Sequence, residues 1–391
     1  MNILLVNYEY PPVGGGGGVV VRDIFEQVAL LGHNITIITS HFRGLKKHEK
    51  INGVNIIRVP VLFRKKMEVA NIISMLSYLP SSVAKGTIYL KENHFDVINT
   101  HFAIPSGPTG HILSKRFGIP NVLSIHGGDI FDPSKRLSPH QTPILYGTVK
   151  RMMCSADRVV AQSSDTKKNA IEYYRINCPI DIIPLGIKKP TFQKKTRADF
   201  NLDADDFIFC TIGRLIKRKN LFDILNILSE LGDKRNFKLI IIGDGPEANN
   251  ISRQIERTNL KEKVLMFGNI SDEKKFQLLN LSDCYISSAT HEGFGLVFLE
   301  AMESGLPVIS YNRGGQNDFL IDGKTGFLIE LGDMDMFLEK VLAIIRDTDL
   351  RKRMREYNKK LAQDFYISAC ASNYLKLFVD VITKNKDIHR K

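Results

Sequence analysis

The sequence predicts an α/β protein that is built from two Rossmann-like domains. The chain has 391 residues, which is too long for a single hydrophobic core. Each half opens with a short β-branched strand, a loop that contains glycine and a helical pattern, which is the plan of a βαβ unit. Hydrophobic residues make up 43% of the chain and charged residues 25%, a composition that is typical of a globular protein and excludes extensive disorder.

The first domain is predicted to begin with a buried strand at residues 1–7, which leads into the glycine run from Gly14 to Gly18. A helix over about residues 20–31 and a strand over 35–39 complete the opening unit. The loop lacks the G-x-G-x-x-G spacing, and no acidic residue ends the second strand, so the sequence does not favour a dinucleotide-dependent dehydrogenase.

Two later strands of this domain end in histidines. His101 closes the strand predicted at 95–101, and His126 follows the strand at 121–125, with Gly127, Gly128 and Asp129 after it. Ligands of α/β sheets bind beyond the carboxyl ends of strands, so its position favours substrate contact for His126. For His101, a hydrogen-bonded structural role is the alternative.

The second domain is predicted to open with a strand at 206–212. The loop that follows carries Arg214 and Lys219, five residues apart, and two such cations can clamp a diphosphate. Lys217 and Arg218, between them, are interpreted as solvated bystanders. A second apolar strand at 239–242 ends in Gly243, which permits a tight turn.

A strand, turn, helix and strand at 287–311 organises the second domain. Glu292 lies in the turn with Gly293 and Gly295, and Glu300 lies in the helix, which is predicted to start near Phe294 or Gly295. The helix N-terminus attracts a phosphate, and the carboxylates can accept hydrogen bonds from vicinal hydroxyls, so the pattern favours a sugar nucleotide. The alternative is that Glu292 caps the helix and Glu300 is a solvated helix residue.

The net charge is +12, and residues 41–66 contain eight basic residues against one acidic residue. This segment could contact an anionic membrane surface or an acidic acceptor, or it could be a solvated loop. Nucleic acid is the least favoured partner, because no nucleic-acid-binding motif accompanies the charge.

Five scattered cysteines without a C-x-x-C pair are typical of reduced thiols in the cytoplasm and do not indicate a metal site. No signal peptide or membrane span is indicated. The sequence therefore predicts a cytoplasmic protein, with peripheral contact at the inner face of the cell membrane left open.

The stretch HEGFGLVFLEAMESGLPVI at 291–309 resembles the E-x7-E signature of retaining GT-B glycosyltransferases, specifically glycosyltransferase family 4. Matches in chain order extend the resemblance over nearly the whole chain; they include GHNI at 32–35, HGGD at 126–129 and GDGP at 243–246. The sequence departs from the family pattern at Asn220, Asn317 and Asp318, where glycine, proline and glutamate are usual.

The resemblance implies the GT-B fold, in which two Rossmann-like domains face a central cleft. It implies an acceptor-binding domain at 1–187, a nucleotide-sugar-binding domain at 188–364, and a C-terminal helix at 365–391 that crosses back to the first domain. It also implies that the glycine-rich loop closes over donor and acceptor, and that His126 contacts the transferred sugar.

Combining the resemblance with the residue patterns gives a predicted site in three groups. The catalytic residues are His126, Arg214, Lys219 and Glu292. The donor-binding residues are Gly15, Gly16, Gly243, Asn269, Ile270, Gly293, Phe294, Gly295, Leu296 and Glu300. The acceptor-side residues are His101 and Asp129. No metal or other cofactor is expected, because the cationic residues can neutralise the diphosphate.

The predicted activity is that of a hexosyltransferase-type glycosyltransferase. It would move a hexose or N-acetylhexosamine, with retention, from a nucleotide sugar to a glycan or lipid-linked acceptor in cell-envelope polysaccharide biosynthesis. A UDP-sugar is the favoured donor and GDP-mannose the next. The alternatives are a sugar-nucleotide epimerase of the same fold, and a non-catalytic protein that binds a nucleotide sugar or a membrane.

Overall fold

The computed structural model describes residues 1–132, 138–232 and 236–389. The chain divides into two compact units, and each has its own sheet. Unit 1 comprises Met1–Gly186 together with Ile367–Lys391, and unit 2 comprises Ile187–Tyr366.

Unit 1 contains an eight-stranded sheet in the order β3-β4-β2-β1-β5-β6-β7-β8. Its strands are β1 (Asn2–Val6), β2 (Asn34–Ser40), β3 (His48–Ile51), β4 (Val54–Val59), β5 (Val97–His101), β6 (Asn121–Ile125), β7 (Arg158–Ala161) and β8 (Ile180–Ile182). All neighbours pair in parallel except β3 with β4, which form an antiparallel pair. β3 was not predicted, because it is mostly polar and lies at the edge of the sheet.

The helices of unit 1 cover the sheet. They are α1 (Gly16–Leu30), α2 (Ile72–Glu92), α3 (Gly107–Phe117), α4 (Pro143–Ser155), α5 (Ser164–Tyr174) and, from the end of the chain, α12 (Ile367–His389). α12 packs on α1: the rings of Phe25 and Phe378 stack at 6.4 Å, and Tyr374 lies 6.0 Å from Phe25. The aromatic face of α12 therefore belongs to the core of unit 1.

Unit 2 contains a six-stranded parallel sheet in the order β11-β10-β9-β12-β13-β14. Its strands are β9 (Phe207–Ile212), β10 (Phe237–Ile242), β11 (Val264–Gly268), β12 (Cys284–Ser287), β13 (Val308–Tyr311) and β14 (Gly326–Ile329). Its helices are α6 (Leu221–Ser229), α7 (Ala248–Arg257), α8 (Asp272–Leu281), α9 (Leu296–Glu303), α10 (Met334–Arg346) and α11 (Thr348–Ala362). Buried aliphatic and aromatic residues from strands and helices form its core.

Two helix boundaries differ from the sequence prediction for local reasons. α1 begins at Gly16, four residues early, so three glycines of the run are helical although glycine disfavours helices. α9 begins at Leu296, because Gly295 adopts a left-handed conformation with a φ of 89°. Among the residues described above, every helix is too short or too polar to traverse a bilayer.

Candidate active site

The first candidate site lies in unit 2, where the loops that follow β9, β12 and β13 come together. β12 pairs in parallel with both β9 and β13, so the three strands deliver their carboxyl-end loops to one edge of the sheet. The strand order reverses between β9 and β12, since β10 and β11 extend the sheet on one side and β13 and β14 on the other. Open α/β sheets bind ligands at such a switch point.

Glu292 is the centre of this site and is buried, with 6% of its surface exposed. Its carboxylate forms ion pairs with Lys219 and, over 3.1 Å, with Arg218. Burial by itself would raise the pKa of Glu292, but the two cations outweigh burial and hold that pKa below its ordinary value. The carboxylate is therefore charged at neutral pH.

Arg218 is not the solvated bystander that the sequence analysis predicts. Its guanidinium also donates to the carbonyl oxygen of His291, and its own carbonyl accepts the N–H of Thr290 over 2.9 Å. The loop after β9 lies against the loop after β12 because these strands are neighbours, and this places Arg218 beside Glu292. Lys217 is exposed, as predicted.

Glycines hold the backbones of these loops close together. Gly314 has a φ of +111°, and a Cβ there would lie 2.2 Å from the carbonyl oxygen of Glu292. Gly243 has a φ of +130°, and its Cβ would lie 2.1 Å from the carbonyl oxygen of Gly213. Close packing inside unit 2 therefore requires glycine at both positions. Asn220 is left-handed with a φ of 46°, a conformation that asparagine tolerates better than most residues other than glycine.

Glu300 lies in the second turn of α9 and forms an ion pair with Lys275 of α8 over 2.6 Å. Lys275 also pairs with Asp272 over 2.8 Å, and its side chain is largely buried. Burial by itself would lower the pKa of Lys275, but Glu300 and Asp272 outweigh burial and raise that pKa above its ordinary value. A permanent cation therefore orients Glu300.

The N-terminus of α9 lies between the two glutamates. Phe294 is buried and packs on Phe319 at 5.2 Å, whereas Gly293, Gly295 and Leu296 are half-buried. The first N–H groups of a helix have no intrahelical partner and can bind an anion. The buried ring of Phe294 therefore anchors the turn, and its predicted contact with the donor would be made by its backbone N–H.

The remaining predicted residues of unit 2 lie on loops at the same edge of the sheet. Arg214 follows β9, is exposed and makes no ion pair within the described part of the chain. Asn269 and Ile270 follow β11, where the N–H of Gly243 donates to Gly268 over 2.8 Å. Of the predicted residues, Lys219 therefore forms an ion pair with Glu292. Among the described residues, Arg214, Asn269 and Ile270 form no hydrogen bond or ion pair with that carboxylate.

The second candidate site lies in unit 1 and contains a histidine pair. Nδ1 of His101 lies 3.0 Å from Nε2 of His126, and His101 is fully buried. Burial lowers the pKa of His126 to about 4, although its bond with Gln162 acts in the opposite direction. Burial, together with His126, also lowers the pKa of His101 well below its ordinary value. Both rings are therefore neutral at pH 7, and one of the two facing nitrogens donates its N–H to the other.

Asp129 holds this pair in place through its carboxylate, and its predicted contact with an acceptor stays a prediction. One carboxylate oxygen accepts the N–H of Ala103 over 2.6 Å, and the other accepts the N–H of His126 over 2.8 Å. Asp129 is also buried. It therefore ties the loop after β5 to the loop after β6. His101 is buried and does not face solvent, and its ring holds the ring of His126 through the hydrogen bond between them.

The glycine-rich loop joins the histidine pair through Phe102. The ring of Phe102 stacks on His126 at 4.3 Å, and a Cβ at Gly17 would lie 2.6 Å from that ring. Gly15 and Gly16 are exposed, and a Cβ at either would meet nothing within 4 Å. Internal packing therefore explains Gly17 but not Gly15 or Gly16.

Three residues of these candidate sites were not predicted from the sequence: Arg218, Lys275 and Phe102. Arg218 could have been predicted as a site residue, because it lies next to Lys219 in the loop that follows a strand. For Phe102, the signal was its place directly after His101. Lys275 lies in a polar helix with no distinguishing pattern, and only the packing of α8 beside α9 reveals it.

Two family models match consecutive parts of the chain. The model described as "Glycosyltransferase Family 4" matches residues 14–189, and the one described as "Glycosyl transferases group 1" matches residues 192–361. The chain belongs to the group 1 glycosyltransferases. Fold and enzyme class are thereby confirmed: the protein is a GT-B enzyme of the hexosyltransferase type.

Three proteins that are similar to this group 1 glycosyltransferase share between 21% and 26% of its residues. It is 26% identical to N-acetyl-alpha-D-glucosaminyl L-malate synthase of Bacillus anthracis over 97% of both chains. It is 25% identical to the UDP-Gal:alpha-D-GlcNAc-diphosphoundecaprenol alpha-1,3-galactosyltransferase of Escherichia coli, over 75% of this chain and 77% of that one. The structure of sucrose-phosphate synthase from Thermosynechococcus elongatus superposes with a TM-score of 0.86 at 21% identity, covering 98% and 99% of the two chains.

Proposed function

We propose that this glycosyltransferase transfers a hexose or N-acetylhexosamine from a UDP-sugar to a glycan or lipid-linked acceptor, with retention of configuration. The observation that carries the proposal is the cluster at the switch point of unit 2, where Lys219 and Arg218 flank Glu292 and Lys275 orients Glu300. Cations beside a helix N-terminus suit a diphosphate, and oriented carboxylates suit hydroxyl groups.

Within this proposal, Lys219, the exposed Arg214 and the first turn of α9 bind the donor diphosphate. They stabilise the charge that grows on the diphosphate as its bond to the anomeric carbon breaks. Glu300 accepts hydrogen bonds from the ribose hydroxyls. Glu292 fixes Lys219 and, once the donor is bound, accepts from hydroxyls of the sugar.

The new glycosidic bond forms between an acceptor oxygen and the anomeric carbon. A phosphate oxygen of the departing nucleotide takes the acceptor proton, so atoms and charges balance without a protein base. His126 is neutral and can exchange hydrogen bonds with a sugar hydroxyl without adding charge. The exposed Gly15 and Gly16 leave room for the substrate, and no metal ion takes part.

The UDP donor and the lipid-linked acceptor are favoured by the galactosyltransferase of Escherichia coli, whose name states both. The name of the Bacillus anthracis enzyme states a small acid as acceptor, so the acceptor class is broad among the relatives. The role in cell-envelope polysaccharide biosynthesis is part of the same proposal.

Thermal unfolding with UDP, GDP, ADP and their common sugar conjugates tests the donor site. A ligand at 100 times its Kd stabilises the folded state by about 2.7 kcal/mol, which raises the Tm by several degrees. We expect UDP ligands to stabilise the wild type, and Glu300→Ala to lose the response. Glu356→Ala, at an exposed position of α11, is the matched control and should respond normally.

Transfer itself is measured as the acceptor-dependent release of UDP from UDP-sugars without added metal and with EDTA. Lys219→Ala and Glu300→Ala should each lower turnover at least tenfold, or about 1.4 kcal/mol. Near-normal turnover in either variant would remove that residue from the site. Conversion of the donor without an acceptor would indicate an epimerase, and loss of activity in EDTA would contradict the metal-free mechanism.

A further inference from the structure

Unit 1 carries a row of exposed apolar side chains between residues 62 and 76. Phe63 and Leu76 each have 70% of their surface exposed. We call the whole row the apolar ridge; its members are Leu62, Phe63, Val69, Ile72, Ile73 and Leu76. Single exposed apolar residues are ordinary, but a contiguous group on a folded protein marks an interaction surface.

The backbone beneath the ridge is fixed by hydrogen bonds. The side-chain amide of Asn71 donates to the carbonyl of Phe63 over 2.5 Å, and the Ser77 hydroxyl accepts the N–H of Leu62 over 2.8 Å. Arg64 donates to the carbonyl of Met67 over 2.7 Å. Phe63 itself has a φ of 56°, which is unfavourable for a bulky residue and requires such support. The loop therefore holds the phenyl ring outward.

The ridge continues on the first turns of α2. Ile72 and Leu76 are four residues apart and lie on one helix face, with Ile73 beside them. The opposite face carries Tyr78, which is fully buried and donates to the carbonyl of Ile38 over 2.8 Å. One face of α2 thus packs in the core, while the other presents large apolar groups to water.

Basic residues border the ridge. Lys65 and Lys66 are exposed in the same loop. β2 and β4 are parallel neighbours, so the loop after β2 lies beside the loop after β4 and adds exposed Arg43, Lys46 and Lys47. From residue 41 to residue 71 the only acids are Glu49, which pairs with Arg58, and Glu68.

We propose that the apolar ridge inserts into an anionic lipid bilayer and that the surrounding lysines bind the lipid phosphates. Apolar side chains flanked by basic residues are the pattern of proteins that lie at a membrane interface. A protein partner fits less well, because lysine is depleted in protein interfaces.

This surface goes beyond the proposed transfer reaction and does not depend on it. The N–H of Gly14 donates to the carbonyl of Met67 over 2.8 Å, so the ridge loop is tied to the glycine-rich loop. A protein docked through the ridge would hold that loop close to the bilayer surface, where the head group of a lipid-linked acceptor lies.

The chain contains no tryptophan, which permits a direct test. Phe63→Trp keeps an apolar aromatic residue and introduces a single tryptophan, whose emission can be excited apart from that of the tyrosines. On addition of vesicles of phosphatidylcholine with 30% phosphatidylglycerol at low salt, we expect a blue shift and quenching by brominated acyl chains. Ile144→Trp, at an exposed site on α4, is the matched control and should show neither.

Flotation with the same vesicles tests the apolar contribution. The triple variant Ile72→Gln, Ile73→Gln, Leu76→Gln should bind at least tenfold more weakly. The control Leu30→Gln with Ile144→Gln, at positions that are even more exposed, should bind like the wild type. Lys65→Gln with Lys66→Gln should weaken binding about tenfold or more, as should 0.5 M salt. Thermal melting verifies that each variant is folded.

The proposal is overturned if the wild-type protein does not float with anionic vesicles at low salt, or if the triple variant floats equally well. It is also overturned if the protein dimerises without lipid and the triple variant is monomeric, because the ridge would then be an interface between copies. If the protein floats with the vesicles but binds no UDP ligand, the result would support membrane binding by the apolar ridge and contradict the proposed donor site.

Discussion

At the scale of single residues, the main feature of unit 2 is a buried carboxylate that is held by two cations. Removing a charge from water is expensive, and a buried ion pair tolerates that cost only when its geometry is good and its remaining groups are bonded. The carboxylate of Glu292 meets both conditions through Lys219 and Arg218, while its backbone carbonyl accepts the N–H of Gly315. Arg218 and Lys219 both come from the loop after β9, so the charge of Glu292 also joins that loop to the loop after β12.

Arg218→Met should destabilise the protein by about 1–3 kcal/mol, since it leaves Glu292 with one cation and the His291 carbonyl without its donor. We expect the Tm to fall by a few degrees and donor KM to rise. Lys217→Met, one residue earlier and exposed, should change the free energy of unfolding by less than about 0.5 kcal/mol. If the two variants have the same Tm and the same donor KM, Arg218 does not stabilise the charge of Glu292.

Lys275→Met should weaken donor binding, because Glu300 loses the cation that orients it. We expect KM for the UDP-sugar to rise about tenfold with little change in kcat, and Lys275→Arg to restore most of the loss. The comparison of UDP with 2′-deoxy-UDP is decisive, since a displaced Glu300 should discriminate less between them.

Lys274→Met is the control for Lys275, since Lys274 lies next to it and is not paired with Glu300. Its kinetics should match the wild type. An unchanged preference for UDP over 2′-deoxy-UDP in Lys275→Met would show that Lys275 only stabilises the fold, and a wild type without that preference would instead argue against Glu300 as the ribose contact.

At the scale of elements, two neighbouring glycines of the glycine-rich loop differ in their surroundings. Gly17 packs against Phe102, whereas Gly16 is open to solvent and to a substrate. Gly16→Ala should keep or slightly raise the Tm, because the position is helical and open and alanine favours helices by about 0.5–1 kcal/mol. Its activity should nevertheless fall at least tenfold if substrate approaches the loop there. Gly17→Ala should lower both Tm and activity, since its Cβ would displace the Phe102 ring from His126. A fully active Gly16→Ala would place the substrate elsewhere.

Strands and strand-end glycines could be predicted because period, β-branching and turn chemistry are local properties. The strand at 121–125 was predicted at its observed bounds, and Glu292 and Glu300 were found because their spacing forms a known signature. The partners of these glutamates could not be found in this way. Arg218 and Lys275 are 74 and 25 residues away from them, and their contacts depend on the strand order and on helix packing.

Two further elements show where local rules fail. Glycine is a poor helix former, yet Gly16 to Gly18 are helical because α1 packs against the sheet and α12. Phe63 is apolar and would be assigned to a core, yet hydrogen bonds of its neighbours hold it outward. In both places tertiary contacts outweigh the preference of the residue.

At the scale of the whole molecule, the two units differ in the groups that respond to acid. Unit 1 contains His101 and His126, which burial keeps neutral. Unit 2 depends on Glu292, which its cations keep charged. The histidines gain protons on unfolding at mildly acid pH, whereas the glutamate gains a proton only at lower pH.

The signs of the two effects set different pH windows. The folded pKa of His126, about 4, lies below the ordinary value of 6.5, so the unfolded chain binds more protons between these values and the stability of unit 1 falls as pH drops from 6.5 towards 4. The folded pKa of Glu292 lies below 4.5, so its contribution is complete above pH 4.5 and is lost only below it.

Hydrogen exchange measured by mass spectrometry, corrected for the intrinsic rate, should therefore show the two units losing protection separately. Between pH 6.5 and 4.5, peptides around β5 and β6 should become less protected while those around β12 and α9 remain unchanged. His101→Gln should reduce the slope in unit 1, and His94→Gln, at an exposed position, should leave it unchanged. Simultaneous loss of protection in both units near pH 4.5 would assign the acid response to carboxylates and remove the neutral histidine pair as its cause.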